Sequence, residues 1–320
     1  MTDRVVRIAT RASELALRQA RIVEAALQTR GVASEIITFK TTGDKRLDEP
    51  LSEIGAKGLF THELEVALTK KKVDCCVHSL KDLPTELPDG LALGAILERE
   101  DPRDVLVVNP VTQADDLDAI PAGSRIGTSS LRRRAQLMAI RPDLEVVELR
   151  GNVPTRIRKV DTGQVHAAIL AAAGLIRLNA QQRITQFLEP PAWLPAAGQG
   201  AIAIEIRSDD DELRETLSHL NHPATAIAVT AERAFLAALE GGCQVPIGAL
   251  ASANDSASLV LHGFVSDTRG KDFVRGSIDV DQQNPAASGQ ALAADLRTRG
   301  ASSLLMELRN STQLISPQPE

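Results

Sequence analysis

Tyrosine is absent, tryptophan occurs once and phenylalanine six times, so aromatics make up only 2% of the 320 residues. Proteins that hold single-stranded nucleic acid by base stacking need aromatic platforms, and this chain lacks them. Cysteine is nearly as scarce. Cys75, Cys76 and Cys243 are too few for a disulfide framework and lack the spacing of a usual zinc site, so no metal is expected. No apolar run reaches the roughly 18 residues of a membrane span. The opening MTDRVVRIATR is charged, with neither an apolar signal core nor a basic targeting segment. A positive net charge is also missing: 36 basic residues against 42 acidic ones give −6. That excludes a generally basic nucleic-acid coat but leaves room for a local basic site. The expectation is a soluble cytoplasmic protein with no nucleic-acid or membrane partner.

What is present is ordinary for a globular chain, with 43% hydrophobic and 24% charged residues and a length that suits two or three domains. No internal repeat or low-complexity tract is evident. The first hundred residues alternate strand and helix signals: strands at 5–10, 35–40 and 73–77, a helix capped by Ser13, and a helix over 60–72 whose last turn carries Lys70, Lys71 and Lys72. This rhythm predicts an α/β fold with a mixed or parallel sheet. A second set follows the charged turn at 98–104, with strands at 105–108, 124–128 and 145–149 and a helix from Ser130. Pro, Ala and Gly at 193–200 suggest a crossover, and a helix begins at Asn221-His222-Pro223 and runs to Gly241. Strand-like runs at 258–264 and 272–280 and a helix over 289–299 then predict a smaller α+β unit, and the last ten residues read as loose.

Of the basic residues 27 are Arg and 9 are Lys, a bias that suits bidentate recognition of carboxylate or phosphate. Eight arginines gather between Arg125 and Arg158 against three acids, a local excess of five positive charges. Within this run, Gly127-Thr128-Ser129-Ser130-Leu131-Arg132-Arg133-Arg134 stands at a strand-to-helix turn, where backbone N–H groups and the helix dipole favour an anion. Leu149-Arg150-Gly151-Asn152-Val153 repeats the theme. Two such turns in one unit favour an anion site over a plain solvated helix face, and the absence of GxxxxGK[ST] excludes a P-loop. His78-Ser79-Leu80-Lys81-Asp82-Leu83-Pro84 follows a strand, where Lys81 and Asp82 can serve opposite charges on one ligand. Taken alone, the segment equally suits a surface turn. Arg11 and Ser13 follow the first strand, and 43–60 reads as a glycine-bearing loop over a cleft. Cys243, after a glycine pair, is either an accessible nucleophile or attachment point or a buried filler. Cys75 and Cys76 point to opposite faces of a strand and suit core packing.

Taken together, these segments resemble the porphobilinogen deaminase (hydroxymethylbilane synthase) family. Arg7-Ile8-Ala9-Thr10-Arg11, Gly55-Ala56-Lys57-Gly58-Leu59-Phe60, Val77 to Pro84, Glu98 to Asp104, Gly127 to Arg133, Leu149 to Val153, Gly198-Gln199-Gly200-Ala201 and Glu240-Gly241-Gly242-Cys243-Gln244-Val245-Pro246 occur in the family's order over nearly the whole chain. The resemblance implies three domains: two α/β lobes of the periplasmic-binding-protein type around a cleft, and a small α+β C-terminal domain. Their expected boundaries are 1–97 with 199–219, then 98–198, then 220–320. It implies a covalent dipyrromethane cofactor held by a thioether to Cys243, with its carboxylates met by Ser79, Lys81, Ser130, Arg132 and Arg133. Asp82 falls at the family's catalytic aspartate position. Arg11, Ser13, Thr128, Ser129, Arg150, Arg156 and Arg177 are expected to meet the carboxylates of porphobilinogen and the growing chain, with Lys57 and Phe60 on an active-site loop. The implied reaction condenses four porphobilinogen units onto the primer with loss of ammonia, then releases hydroxymethylbilane by hydrolysis. A monomer with transient hand-over to the next pathway enzyme is the implied setting. Glu14, Arg18 and Glu53 depart from common family residues. Two rival readings are a non-catalytic anion-binding protein of bilobal fold and the ligand-sensing domain of a regulator. The first leaves Cys243 and Asp82 idle, and the second lacks a helix-turn-helix.

Overall fold

The computed structural model describes residues 5–45, 60–240, 245–254 and 258–313. Among these, the strands in chain order are β1 (Val6–Arg11), β2 (Ser34–Phe39), β3 (Cys75–Ser79), β4 (Leu91–Ile96), β5 (Asp104–Val108), β6 (Arg125–Gly127), β7 (Glu145–Val147), β8 (Ala167–Ala171), β9 (Gln186–Leu188), β10 (Ile202–Arg207), β11 (Ile247–Ala253), β12 (Leu259–Ser266) and β13 (Phe273–Asp279). They form three sheets ordered β2-β1-β3-β10-β4, β7-β6-β8-β5-β9 and β11-β12-β13.

The two five-stranded sheets share one plan. In the first, β1 runs parallel to β2 and β3, while β10 is antiparallel to β3 and β4. In the second, β6 runs parallel to β7 and β8, while β5 is antiparallel to β8 and β9. In each sheet the antiparallel strand is the one the chain makes on arriving from the other lobe. The sequence showed no repeat because the duplication lies in topology, and only hydrophobic character is needed to preserve it.

Each sheet is buried on both faces, which explains its apolar runs. Cys75 packs with Val23, Leu27 and Ile204 on one face of the first sheet, and Cys76 packs with Leu64 and Leu68 on the other, as strand alternation requires. Leu106, Ile126 and Ile169 fill one face of the second sheet, and Val105, Leu170 and Leu175 fill the other. The expected α/β lobes and C-terminal α+β unit are therefore both present. In the latter, the helices Pro223–Ala238 and Pro285–Leu296 cover one antiparallel sheet around Phe235, Leu261 and Leu292.

Several elements differ from the sequence reading. The helix expected over 60–72 spans only His62–Thr69, because Lys71 turns left-handed at φ 56° and Lys72 N–H closes the end on Ala67 O. The lysine run therefore follows the helix instead of lining its last turn. Strand β11 had no expected counterpart, since small residues dominate Ile247–Ala253. A helix, Ser302–Gln313, extends into the segment expected to be loose. No helix among the described residues is long and apolar enough to cross a membrane.

The two crossovers between lobes run side by side. Leu97 N–H donates to Ile202 O at 3.0 Å and Glu100 N–H to Gly200 O at 3.1 Å. Gly200 has φ +90°, and a Cβ there would overlap the Glu100 carbonyl oxygen, so the close approach requires glycine. The C-terminal unit is fastened at this point. Glu232, fully buried, accepts from Arg99 Nη1 at 2.6 Å and Nη2 at 3.1 Å, from Gly198 N at 2.7 Å and from Ala251 N at 2.9 Å.

Candidate functional site

The carboxyl ends of the parallel strands in both lobes face one cleft. Its floor is lined from the first lobe by Gln19, Ser79 and Lys81 and from the second by Arg133, Arg156 and Arg177, with Gln199 and Gly200 of the crossover between them. Ligand sites at the carboxyl edge of such sheets follow from topology, because loops and helix N-termini gather there.

Local structure explains how these residues arrive. Ser79 ends β3, and the chain then turns into a short 3-10 segment, Leu80–Asp82, anchored by fully buried Leu80. This places Lys81 at the cleft and leaves Asp82 exposed beside it. Ser79 Oγ accepts from Gln19 Nε2 at 2.8 Å, and Lys81 Nζ donates to Gln199 Oε1 at 3.1 Å. In the second lobe Ser130 caps the helix Leu131–Ile140, its Oγ accepting from Arg133 N at 3.4 Å. Asn152 caps the helix Val153–Asp161 by accepting from Thr155 N at 2.9 Å, which fixes the turn that presents Arg156.

Beneath the cleft lies a network centred on Asp104, which is fully buried at the start of β5. Its carboxylate accepts from Arg132 Nη1 at 2.6 Å, Arg133 Nη2 at 2.7 Å, Trp193 Nε1 at 2.8 Å and Gln199 Nε2 at 2.9 Å. The charges of Arg132 and Arg133 and the bonds from both hold its pKa well below the usual carboxylate range, against the opposing effect of burial. One carboxylate thus serves two guanidinium groups, and a positive charge is left over.

The remaining cations are half-buried and lie near carboxylates without bonding them, Lys81 and Arg156 near Asp82 and Arg177 near Glu100. Arg156 Nε donates to Gly151 O at 2.8 Å and Arg177 Nη2 to Gly200 O at 2.6 Å. Among the described residues no carboxylate forms an ion pair with Lys81, Arg156 or Arg177. Burial depresses Lys81 to about 8, with Asp82 opposing the shift. Burial, reinforced by Arg133 and Arg150, lowers Arg156 to about 10, and burial lowers Arg177 to about 10. Partly desolvated cations converging on one cleft without a bonded carboxylate suit a site for anions.

The other expected site residues fall in four groups. Arg11 stacks its guanidinium over Phe60 at 4.2 Å from the ring centroid. Ser13 caps the helix Glu14–Gln28 through Ala16 N, Ser129 Oγ donates to Leu149 O at 2.9 Å, and Thr128 Oγ1 accepts from Ser130 N at 3.2 Å, so these hydroxyls shape their turns. Arg150, half-buried, lies 3.9 Å from Glu148. Lys57 and Cys243 lie outside the described residues. The arginine-rich run also divides: Arg125, Arg134 and Arg158 are exposed, Arg141 binds Asp143, and Arg132 turns toward Asp104 and the Leu194 carbonyl and does not line the cavity. Sequence reasoning gave no role to Asp104, Gln199 or Gln19. Asp104 and Gln199 did stand inside two of the quoted motifs, and that was the available signal.

The fold and cleft define a two-lobed α/β protein with a basic cleft between its lobes, and the third unit is fastened to the crossovers. Residues 6–215 match the family model described as porphobilinogen deaminase, dipyromethane cofactor binding domain, and residues 226–298 match porphobilinogen deaminase, C-terminal domain. A porphobilinogen deaminase from Syntrophobacter fumaroxidans is 49% identical over 310 residues, covering 96% of this chain and 99% of that protein. One from Moorella thermoacetica is 50% identical over 306 residues, covering 95% and 96%. The chain belongs to the porphobilinogen deaminase family, and its residues 6–215 match the domain that binds the family's dipyrromethane cofactor. Among solved structures, a periplasmic substrate-binding protein from Coxiella burnetii aligns at 18% identity and TM-score 0.42 over 69% of this chain and 94% of its own. That likeness is too loose to add to what the strand order shows.

Proposed function

We propose that the chain is a transferase that builds a linear tetrapyrrole, hydroxymethylbilane, from four porphobilinogen molecules. The observation that carries this reading is the set of half-buried cations, Lys81, Arg156 and Arg177, converging with the Asp104-held Arg133 on one cleft. Each pyrrole unit carries an acetate and a propionate arm, so the growing ligand is a polyanion. Fixed cations recognise it by its arms, and the near-absence of aromatics is no handicap.

The donor set also fits the cofactor. Ser79, Lys81, Ser130 and Arg133 would hold its carboxylates, Arg132 would support Arg133 through Asp104, and Cys243 would carry the thioether. When bound, the cofactor supplies a nucleophilic pyrrole carbon. Arg11, Arg150, Arg156 and Arg177 orient the arms of the incoming porphobilinogen. As its aminomethyl group loses ammonia, positive charge develops on that pyrrole, and the Asp82 carboxylate stabilises it and accepts the ring N–H. Asp82 is suited to this because it neighbours Lys81 without being consumed by an ion pair.

We assign the domains as 1–97 with 199–219, 98–198, and 220–320, with the enzyme acting as a cytoplasmic monomer that hands its product to the next pathway enzyme. Incubating the purified protein with porphobilinogen tests the reading. Ammonia release with formation of a linear tetrapyrrole, read as uroporphyrin after acid oxidation, supports it. Unconsumed porphobilinogen rejects it in favour of a binding protein.

A further inference from the structure

A second group of chemistry-bearing side chains lies inside the first lobe, away from the cleft. On β3, Cys76 and His78 are two residues apart and so share one face of the sheet. Glu205 on β10 pairs in register with Cys76, and its neighbour Ala203 pairs with His78. The cysteine sulfur, a histidine ring nitrogen and a Glu205 carboxylate oxygen all lie within 4.8 Å of one another, and all three residues are buried. The reaction assigned to the cleft uses none of them.

This cluster is not closed on itself. His78 Nε2 lies 3.0 Å from Glu205 Oε2, and Cys76 Sγ–H points to Leu64 O at 3.5 Å. Glu205 Oε1 is fully buried and has no hydrogen-bond partner. A buried carboxylate oxygen in that condition is costly unless something occupies its lone pairs. Glu65, on the helix His62–Thr69, also leaves Oε1 buried without a partner. Glu65 also lines a separate surface pocket of about 350 Å³ with His62, Glu86 and Asp89.

We infer that Cys76, His78 and Glu205 form a buried site for a zinc-type divalent cation. A thiolate, a neutral imidazole and a carboxylate together carry two negative charges, which one divalent ion neutralises. Binding forms an S–metal bond in place of the Cys76 S–H bond and breaks the His78–Glu205 hydrogen bond; the ring keeps its proton on the nitrogen that faces away from the ion and so stays neutral, and one proton leaves to solvent. The ion would occupy the orphaned Glu205 oxygen and cross-link β3 to β10, the strand that returns the chain to the first lobe. Cysteine spacing alone could not show this, because the third ligand arrives from 127 positions away.

Zinc counting tests it. Purified protein is incubated with Zn²⁺, freed of excess ion by gel filtration and measured by mass spectrometry of the metal. The expected result is one zinc per chain in the native protein and in Cys75→Ser, whose thiol faces the other side of the sheet. Cys76→Ser and Glu205→Gln should lose it. With Co²⁺ in place of zinc, a thiolate charge-transfer band should appear in the native protein and vanish in Cys76→Ser. Native protein holding no more zinc than Cys76→Ser overturns the site, as does Cys75→Ser losing as much. Should Cys76→Ser fail to fold, Glu205→Gln decides, since it keeps the shape and the thiol: full zinc retention there overturns the site.

Discussion

Single side chains set the electrostatics of the cleft, and Asp104 is the clearest case. It neutralises half of the Arg132–Arg133 pair and, through Gln199, orients Lys81. Asp104→Asn preserves shape but leaves two buried guanidinium groups without a carboxylate. A loss of about 3–5 kcal/mol in denaturant unfolding is expected. Because the folded pKa lies below the unfolded value near 3.8, the stabilisation is complete above that pH and lost as pH falls below it. The gap between native and variant should therefore close in acid, and a gap independent of pH would contradict the ion-network account. Lys81 works in the opposite sense. Burial lowers it to about 8 in the empty cleft, whereas cofactor carboxylates restore its affinity for the proton. The cofactor-loaded protein thus binds more protons than the cofactor-free protein above pH 8, and the stabilisation it gains from the cofactor should shrink as pH rises from 8 to 10. Melting temperatures of the two forms across that range check this, and a constant difference would refute it. Asp82→Asn should keep the fold and lower turnover by 10²-fold or more. Near-native turnover would remove Asp82 from the chemistry.

At the scale of elements, the hinge makes the sharpest demand. Gly200 sits where the two crossovers touch, at a positive φ and against the Glu100 carbonyl. Gly200→Ala combines backbone strain of about 1–3 kcal/mol with overlap that only separation of the strands can relieve. The variant is expected to melt several degrees lower and to bind porphobilinogen more weakly, because Gly200 O also accepts from Arg177. Unchanged stability would show that the crossovers move apart freely. The same elements show what a sequence can disclose. Alternating apolar strands and capped helices made the α/β lobes legible, and the motif at Ser79–Asp82 lay where a strand end should be. The duplicated strand order was not legible, because β5 and β10 join sheets far from their sequence neighbours. Nor was the division of the arginine run. Arg132 and Arg133 are adjacent and both bind Asp104, yet one also turns to the Leu194 carbonyl while the other bonds the Ile169 carbonyl and reaches the cavity wall, a division set by tertiary partners far away in sequence.

For the molecule as a whole, net charge misleads. A chain of −6 holds a strongly cationic cleft because its acids are spent elsewhere, on Arg99 through Glu232, on Arg207 through Asp210 and on Arg141 through Asp143. The C-terminal unit is fastened to both crossovers through Glu232, which binds Arg99 of one and Gly198 of the other. The central claim is that Cys243 carries a dipyrromethane primer for the polyanion that this cleft is charged to hold. Its most direct test is the intact mass of the protein purified without denaturation, beside Cys243→Ser. The native chain is expected to be heavier than its sequence by two porphobilinogen units less two ammonia, and the variant to have the bare sequence mass. An active native protein of bare mass, or an adduct that persists in Cys243→Ser, would contradict the account.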